Sequence, residues 1–409
     1  MLYLQHLSLT NFRNYARLDL DLPARAIVLQ GANAQGKTNL LEAIYYLAAS
    51  RSPKTGTDQQ LINWLADEEP LPHARLVAEA VKGDTIYRVE ITLMKRRANS
   101  GPRLHKEIRV NGVSRRGMDL LGVINVVLFR PQDMALTHGS PGGRRQYLDA
   151  TLCQVKRSYC QTLRTYNHVT SQRNALLRTL RDRGQASGDE LIFWNEKLIS
   201  AGAQLIATRQ SALTRLGNLA QPLHHTLSGG QEDLRIRYLP SFDLAHAPND
   251  SHQIALGLNV PVEASDLSLL PVSQIAESFR AHLEQARQEE LARGVTLFGP
   301  HRDDFSFEAN GIDLRTYGSR GQQRTAVLAL KIAETQFMLQ ETGQQPILLL
   351  DEVMSELDSR RQRHLLQAMS SVQQSILTTT SWDIFEEAFL SQTLRLQVRE
   401  GRVQKMEEN

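Results

Sequence analysis

The residues Gly31-Ala32-Asn33-Ala34-Gln35-Gly36-Lys37-Thr38 carry the spacing GxxxxGK[ST]. In that spacing the glycines let backbone N–H groups turn toward a polyanion. The start of the following helix adds a positive field. Lys37 is placed to reach β- and γ-phosphates, and the hydroxyl of Thr38 to hold Mg²⁺. The context is the required one. An apolar run, Ala26-Ile27-Val28-Leu29, precedes the loop as a strand, and Thr38 to Ala49 reads as a helix. A second group lies more than three hundred residues downstream, where Ile347-Leu348-Leu349-Leu350 delivers Asp351 and Glu352 at the end of a buried strand. Sheets of α/β type place ligands at such carboxyl ends. Asp351 is suited to Mg²⁺, and Glu352 to orienting and activating a water for phosphoryl transfer.

These groups need elements to position them. Residues 2–30 read as strands, and so do 74–94, joined near Gly83-Asp84. Val123 to Phe129 reads as a buried strand ended by Pro131. From Arg144 to about Leu180 the apolar residues Leu148, Leu152, Val155, Tyr159, Leu163 and Tyr166 recur at steps of three and four. That predicts one face of a long helix. Gly184 to Gly188 breaks it, and a second run from Leu191 to Leu216 completes a helical hairpin arm. Residues 239–273 read as a loop or insertion, and Val272 to Ala292 as a helix. The α/β pattern returns after Gly294, with a helix over Ser319 to Gln340 and strands at 346–351, 375–380 and 394–398. The expected domains are 1–134 and 293–409, which together form an α/β head, with 135–292 inserted between them.

Composition narrows the class. The chain has 409 residues, 41% of them hydrophobic, which is enough for ordinary cores. Net charge is only +3, but nine Lys/Arg against two acids occur from Arg88 to Arg116, and again from Arg144 to Arg183. Such local excess fits contact with a polyanion. The two cysteines, Cys153 and Cys160, are too few for a disulfide framework or a four-ligand zinc site, and suit reduced packing residues. No apolar run approaches membrane-spanning length and the N-terminus has no signal-peptide pattern, so a cytoplasmic location is expected.

A phosphate loop separated from its acidic strand by a large insert resembles the ABC superfamily members that act on DNA. That resemblance demands a Ser-Gly-Gln motif opening the helix before the acidic strand. Two stretches compete. Leu227-Ser228-Gly229-Gly230-Gln231 has the better spelling, but the alternating run Leu234 to Tyr238 follows it, so it is expected to be a turn. Gly318-Ser319-Arg320-Gly321-Gln322-Gln323 is followed by a helix and then by the acidic strand, so Ser319, Gly321 and Gln322 are the expected contacts to a γ-phosphate. The same resemblance implies that Ser355 to Asp358 form a loop at a dimer seam and that Gln132 occupies the Q-loop position. No histidine stands at the switch position, which leaves Thr379 or Thr380 for that role.

Asn11-Phe12-Arg13-Asn14-Tyr15, the phosphate loop, Pro131 to Asp149, Gly299 to Asp304, Gly318 to Arg324 and Leu350 to Asp358 together resemble the RecF family of bacterial recombination mediators. The resemblance implies an α/β ABC-type ATPase head assembled from both chain ends, with an inserted, mainly helical lid or arm domain. It implies ATP and Mg²⁺ as cofactors, weak ATP hydrolysis and an ATP-dependent homodimer clamping DNA at gaps. It also implies roles in replication, recombinational repair and the SOS response, with RecR and RecO as partners. Arg13 is implied to lie near the nucleotide phosphates. The rival readings are a transporter ATPase subunit, an SMC-like structural protein and an ABC-headed nuclease.

Overall fold

A computed structural model describes residues 1–54, 56–68, 70–98, 101–184, 189–244 and 270–406. Most of the expected 239–273 loop, and the Gly184–Gly188 turn beyond Gly184, lie outside the described residues.

The chain begins with strands β1 (Leu2–Phe12), β2 (Tyr15–Asp21) and β3 (Ala26–Gln30), then helix α1 (Lys37–Ala49). Next come β4 (His73–Lys82), β5 (Thr85–Ala98), β6 (Gly101–Val110), β7 (Val113–Ser114), the short α2 (Gly117–Leu120) and β8 (Val126–Phe129). The middle holds α3 (Ala135–His138), α4 (Pro141–Val155), α5 (Arg157–Arg183), α6 (Ile192–Ser228), β9 (Leu234–Leu239), α7 (Val272–Gln285), α8 (Arg287–Arg293), β10 (Asp304–Ala309) and β11 (Ile312–Asp313). The last part is α9 (Arg320–Thr342), β12 (Ile347–Leu350), α10 (Ser359–Ser371), β13 (Ser375–Thr379), α11 (Glu387–Leu390), β14 (Leu394–Arg399) and β15 (Arg402–Lys405).

Two compact units result: residues 1–134 with 327–409, and residues 135–326. The second boundary falls later than the 293 read from the sequence. The reason is pairing: β10 runs antiparallel to β9, with Phe305 opposite Tyr238 and Phe307 opposite Ile236, so the return segment joins the middle unit. Within the first unit, one sheet has the order β2-β1-β4-β5-β6-β7 and is antiparallel throughout. Leu2 and Leu4, then Leu7 and Leu9, are buried at steps of two, and the step of three between the pairs coincides with a register shift of β1 against β4.

The other sheet has the order β15-β14-β3-β13-β12-β8, and β14, β3, β13, β12 and β8 are parallel. Every residue of β12 and β8 is buried, which explains their unbroken apolar runs. The parallel arrangement aligns four strand ends at one edge. Gly31 leaves β3, Thr379 ends β13, Asp351 follows β12 and Arg130 follows β8.

In the middle unit, α5 and α6 pack together as a long hairpin. The single helix expected from Arg144 to Leu180 is two. Lys156 adopts an extended conformation between α4 and α5, with no Gly or Pro to announce the break. The helix expected over Val272 to Ala292 is likewise divided, at Ala286, into α7 and α8.

Candidate nucleotide site

The phosphate loop is built against two turns distant in sequence. Gly36 adopts φ +117°, and a Cβ there would meet the Asn14 amide at 2.6 Å. A Cβ at Gly31 would meet the Val398 carbonyl oxygen at 2.4 Å. Both glycines are therefore required by close approach. Ala34, at φ +65°, takes the left-handed conformation despite its side chain. The Asn14 Nδ2 donates to the Gln35 carbonyl (2.9 Å), and the Tyr15 hydroxyl donates to the Gly36 carbonyl (3.0 Å). From the β14–β15 turn, the Gly401 N–H donates to the Gln35 carbonyl (3.0 Å) and the Glu400 N–H to Gln35 Oε1 (2.7 Å). The backbone of Ala32, Asn33 and Ala34 makes the rim between these supports. The first turn of α1 contains no acidic residue to oppose its positive end.

Lys37 is buried, and its ammonium donates to the Gly31 carbonyl (2.6 Å) and the Ala32 carbonyl (3.1 Å). It also pairs with Glu352 Oε1 at 3.0 Å. Thr38 and Asp351 meet directly, the Thr38 hydroxyl donating to Asp351 Oδ1 at 2.8 Å. Burial raises the Asp351 pKa above the usual carboxylate value, and hydrogen bonds from Thr38 and Thr378 oppose that rise. A hydroxyl and a carboxylate side by side are hard oxygen donors of the kind Mg²⁺ takes, so the residues fit that ion. Glu352 sits at φ +52°, a conformation costly for a side-chain-bearing residue and typical of functional sites.

The chain thus brings together residues 31–38, Asp351 and Glu352 from opposite ends of the sequence. Gln132 is exposed in the turn Pro131–Met134 that follows β8, next to the strand delivering Asp351. Arg13, expected near the phosphates, pairs with a residue of α1, the helix that the loop opens. Its guanidinium donates to both oxygens of the buried Glu42 (3.0 and 2.8 Å) and to the Gln60 carbonyl (2.9 Å). Ser319 stands just before α9, and Gly321 and Gln322 lie in its first turn, all within the middle unit. The Ser319 N–H donates to Gln322 Oε1 (2.8 Å), and the Gln322 N–H to Ser319 Oγ (3.2 Å), a reciprocal cap. The rival Ser228 ends a 37-residue helix, and β9 follows it. Asp358 likewise caps a helix, accepting from the Arg360 and Arg361 N–H groups at the start of α10.

Sequence reasoning missed three residues. Thr378 donates to Asp351 Oδ1 (3.1 Å) and accepts from the Glu352 N–H (2.8 Å), so it orders both acidic residues. Thr379 instead bonds the Ser381 backbone, and Thr380 is exposed. Glu42, one turn beyond Thr38, accepts from Arg13 and from the Ser52 hydroxyl (2.5 Å). On the same loop, burial lowers the Lys54 pKa below the usual lysine value, and the Glu42 and Asp351 carboxylates oppose that shift. A carboxylate on the buried face of α1 was the available signal for Glu42. For the other two the sequence offers none.

The model of the RecF/RecN/SMC N terminal domain matches residues 3–405. The chain is 40% identical to the DNA replication and repair protein RecF of Chloroflexus aggregans over 411 residues, covering 98% of this chain and 99% of that one. It is 35% identical to the protein of the same name from Bacillus subtilis, covering 99% and 100%. Its fold matches the recombination mediator protein RecF of the RecFOR pathway solved with ATP, at TM-score 0.81 and 32% identity, covering 99% and 98%. The fold also matches the recombination mediator protein RecF-ATPrS of the same pathway at TM-score 0.82 and 31% identity, with the same coverage. Among the described residues no helix is long and apolar enough to cross a membrane. With its α/β ABC-type head assembled from both chain ends, the chain belongs to the RecF family of DNA replication and repair proteins.

Proposed function

We propose that this chain binds ATP with Mg²⁺ at the loop 31–38 and closes on a second copy of itself, and that the closed pair holds DNA during replication and recombinational repair. The observation that carries the reading is the convergence of Lys37, Thr38, Asp351 and Glu352 at one sheet edge. The ATP-bound relatives, matched over nearly the full chain, support it and do not support a transporter subunit or a structural SMC protein.

Thr38 and Asp351 would hold Mg²⁺, which supplies charge neutralisation on the phosphates. Lys37 takes the β- and γ-phosphates, and this loosens its pairing with Glu352. Glu352, held by its backbone bond to Thr378, is then available to orient the attacking water. The work is positioning and charge stabilisation, without covalent catalysis. Ser319, Gly321 and Gln322 of the second copy meet the γ-phosphate, so hydrolysis weakens the pair. Gln132 senses the same phosphate end from the β8 side. Arg13, paired with Glu42 on the helix that follows the loop, adds positive charge near the phosphates.

Contact with DNA rests on Lys and Arg side chains at phosphates and is therefore salt-sensitive. The relatives' RecFOR pathway makes RecR and RecO the proposed partners, with a role in the SOS response following from the same pathway. A cytoplasmic site of action accords with DNA as the ligand.

The test is sedimentation of wild type and Lys37→Met with and without ATP, in the presence of gapped, single-stranded and duplex DNA. Wild type shifts to a dimer with ATP and the variant stays monomeric. A variant that dimerises like wild type overturns the proposal.

A further inference from the structure

The well-spelled turn Ser228–Gln231 lies beside the residues that open α9. Gly229 and Gly230 adopt φ +83° and +78°, and the Gly230 N–H donates to the His225 carbonyl (2.8 Å), closing α6. The Ser228 hydroxyl accepts from the Glu232 N–H at 3.3 Å and donates to the His225 carbonyl at 3.1 Å. Asn310 ties the same turn to the β10–β11 hairpin. It donates to the Gln231 carbonyl (3.0 Å) and accepts from the Asp233 N–H (2.8 Å).

So held, Glu232 presents Oε1 to Gln322 Nε2 at 2.9 Å, while its Oε2 lies 3.6 Å from His224 Nε2. The Gln322 amide is thereby gripped at both ends: Nε2 by Glu232, Oε1 by the Ser319 N–H. An ionised carboxylate only accepts hydrogen bonds, so Glu232 dictates which end of that amide is nitrogen. A flipped amide would set two acceptors against each other and take the oxygen away from the Ser319 N–H.

We infer that Glu232 is a positioning residue for the Ser319–Gln322 motif, and that the Ser228–Gln231 turn serves to aim it. The turn is a buttress of the nucleotide-sensing motif and makes no contact with nucleotide itself. This rests on the proposal that Ser319 to Gln322 meet the second copy's nucleotide.

The experiment measures the ATP concentration giving half-maximal dimer, by sedimentation. Beside it, a fluorescent ATP analogue reports nucleotide binding at protein concentrations too low for dimers. Glu232→Ala is expected to raise the half-maximal ATP about three- to tenfold, the worth of one such hydrogen bond, with monomer binding unchanged. Glu232→Gln keeps an acceptor oxygen and restores wild-type behaviour. Ser228→Ala leaves the carboxylate but removes the hydroxyl that aims it, and gives a smaller shift in the same direction. Wild-type ATP dependence in both Glu232→Ala and Ser228→Ala overturns the inference, as does a Glu232→Gln variant no better than alanine. Ser319→Arg separates the two claims. If it blocks closure while Glu232→Ala does not, the inference alone fails. If Ser319→Arg closes normally, the reading of the motif fails.

Discussion

The charged residues at the nucleotide site of the first unit and those in the core of the second are used in different ways. In the first, Lys37, Asp351 and Glu352 converge on a loop edge, where Lys37 bonds the Gly31 and Ala32 carbonyls and Glu352 while Asp351 accepts from Thr38 and Thr378. In the second, arginines are consumed by the fold. Arg144 grips both oxygens of Asp304 (2.6 and 2.7 Å). Arg209 bonds Asp149, the Tyr159 hydroxyl and the Pro300 carbonyl. Arg173 bonds Glu290, Asn195 and Thr296 while only 1% exposed. The nine basic residues from Arg144 to Arg183 therefore overstate the charge open to a polyanion, because Arg144 and Arg173 face inward. A charge excess counted along a chain becomes a binding surface only after the internally paired members are removed.

The largest expected effect follows from that internal use. Arg173→Met leaves Glu290 buried without its cation and costs about 3–5 kcal/mol of stability, measured by urea unfolding. A loss below about 1 kcal/mol would show that the pair is not an internal strut.

Next comes acid. Burial holds His301 near a pKa of about 4, against 6.5 unperturbed, with Nδ1 at the Tyr166 hydroxyl (2.7 Å) and Nε2 at the Thr296 carbonyl (3.2 Å). The unfolded chain binds the extra proton first. The stabilisation is thus complete above pH 6.5 and is lost as pH falls toward 4, by about 3 kcal/mol at most. His301→Gln should flatten that part of the stability–pH curve relative to wild type. Parallel curves would remove His301 as the cause.

The smallest effect on the fold belongs to the first unit. Glu352→Gln should leave the unfolding midpoint within experimental scatter. Steady-state phosphate release should fall about 100-fold, roughly 2.7 kcal/mol of barrier, with ATP-dependent dimers persisting. Undiminished turnover would show that Glu352 does not handle the water. A large stability loss would erase the contrast between the units.

What the sequence made legible was local. Eight consecutive residues spell the phosphate loop, and four buried aliphatics announce the strand before Asp351, so both could be read without coordinates. That a helix follows Ser319 and a strand follows Ser228 was also legible from local pattern. The supports were illegible because they depend on residues meeting from far apart. Nothing near Thr378 indicates that its hydroxyl falls between Asp351 and the Glu352 N–H. Likewise, nothing near Arg13 indicates that the buried Glu42, 29 residues on, accepts from its guanidinium. The break at Lys156 has no local marker, since an ordinary lysine takes the extended conformation there.

The bond between Gln35 and Glu400 spans 365 residues. A ribosome finishes the phosphate loop early, yet must synthesise nearly the whole chain before the turn that props the loop from the far side exists. Asp351 and Thr378 come late as well, more than three hundred residues after the loop. The emerging chain thus carries a recognisable nucleotide motif long before the residues that complete and prop it have been made.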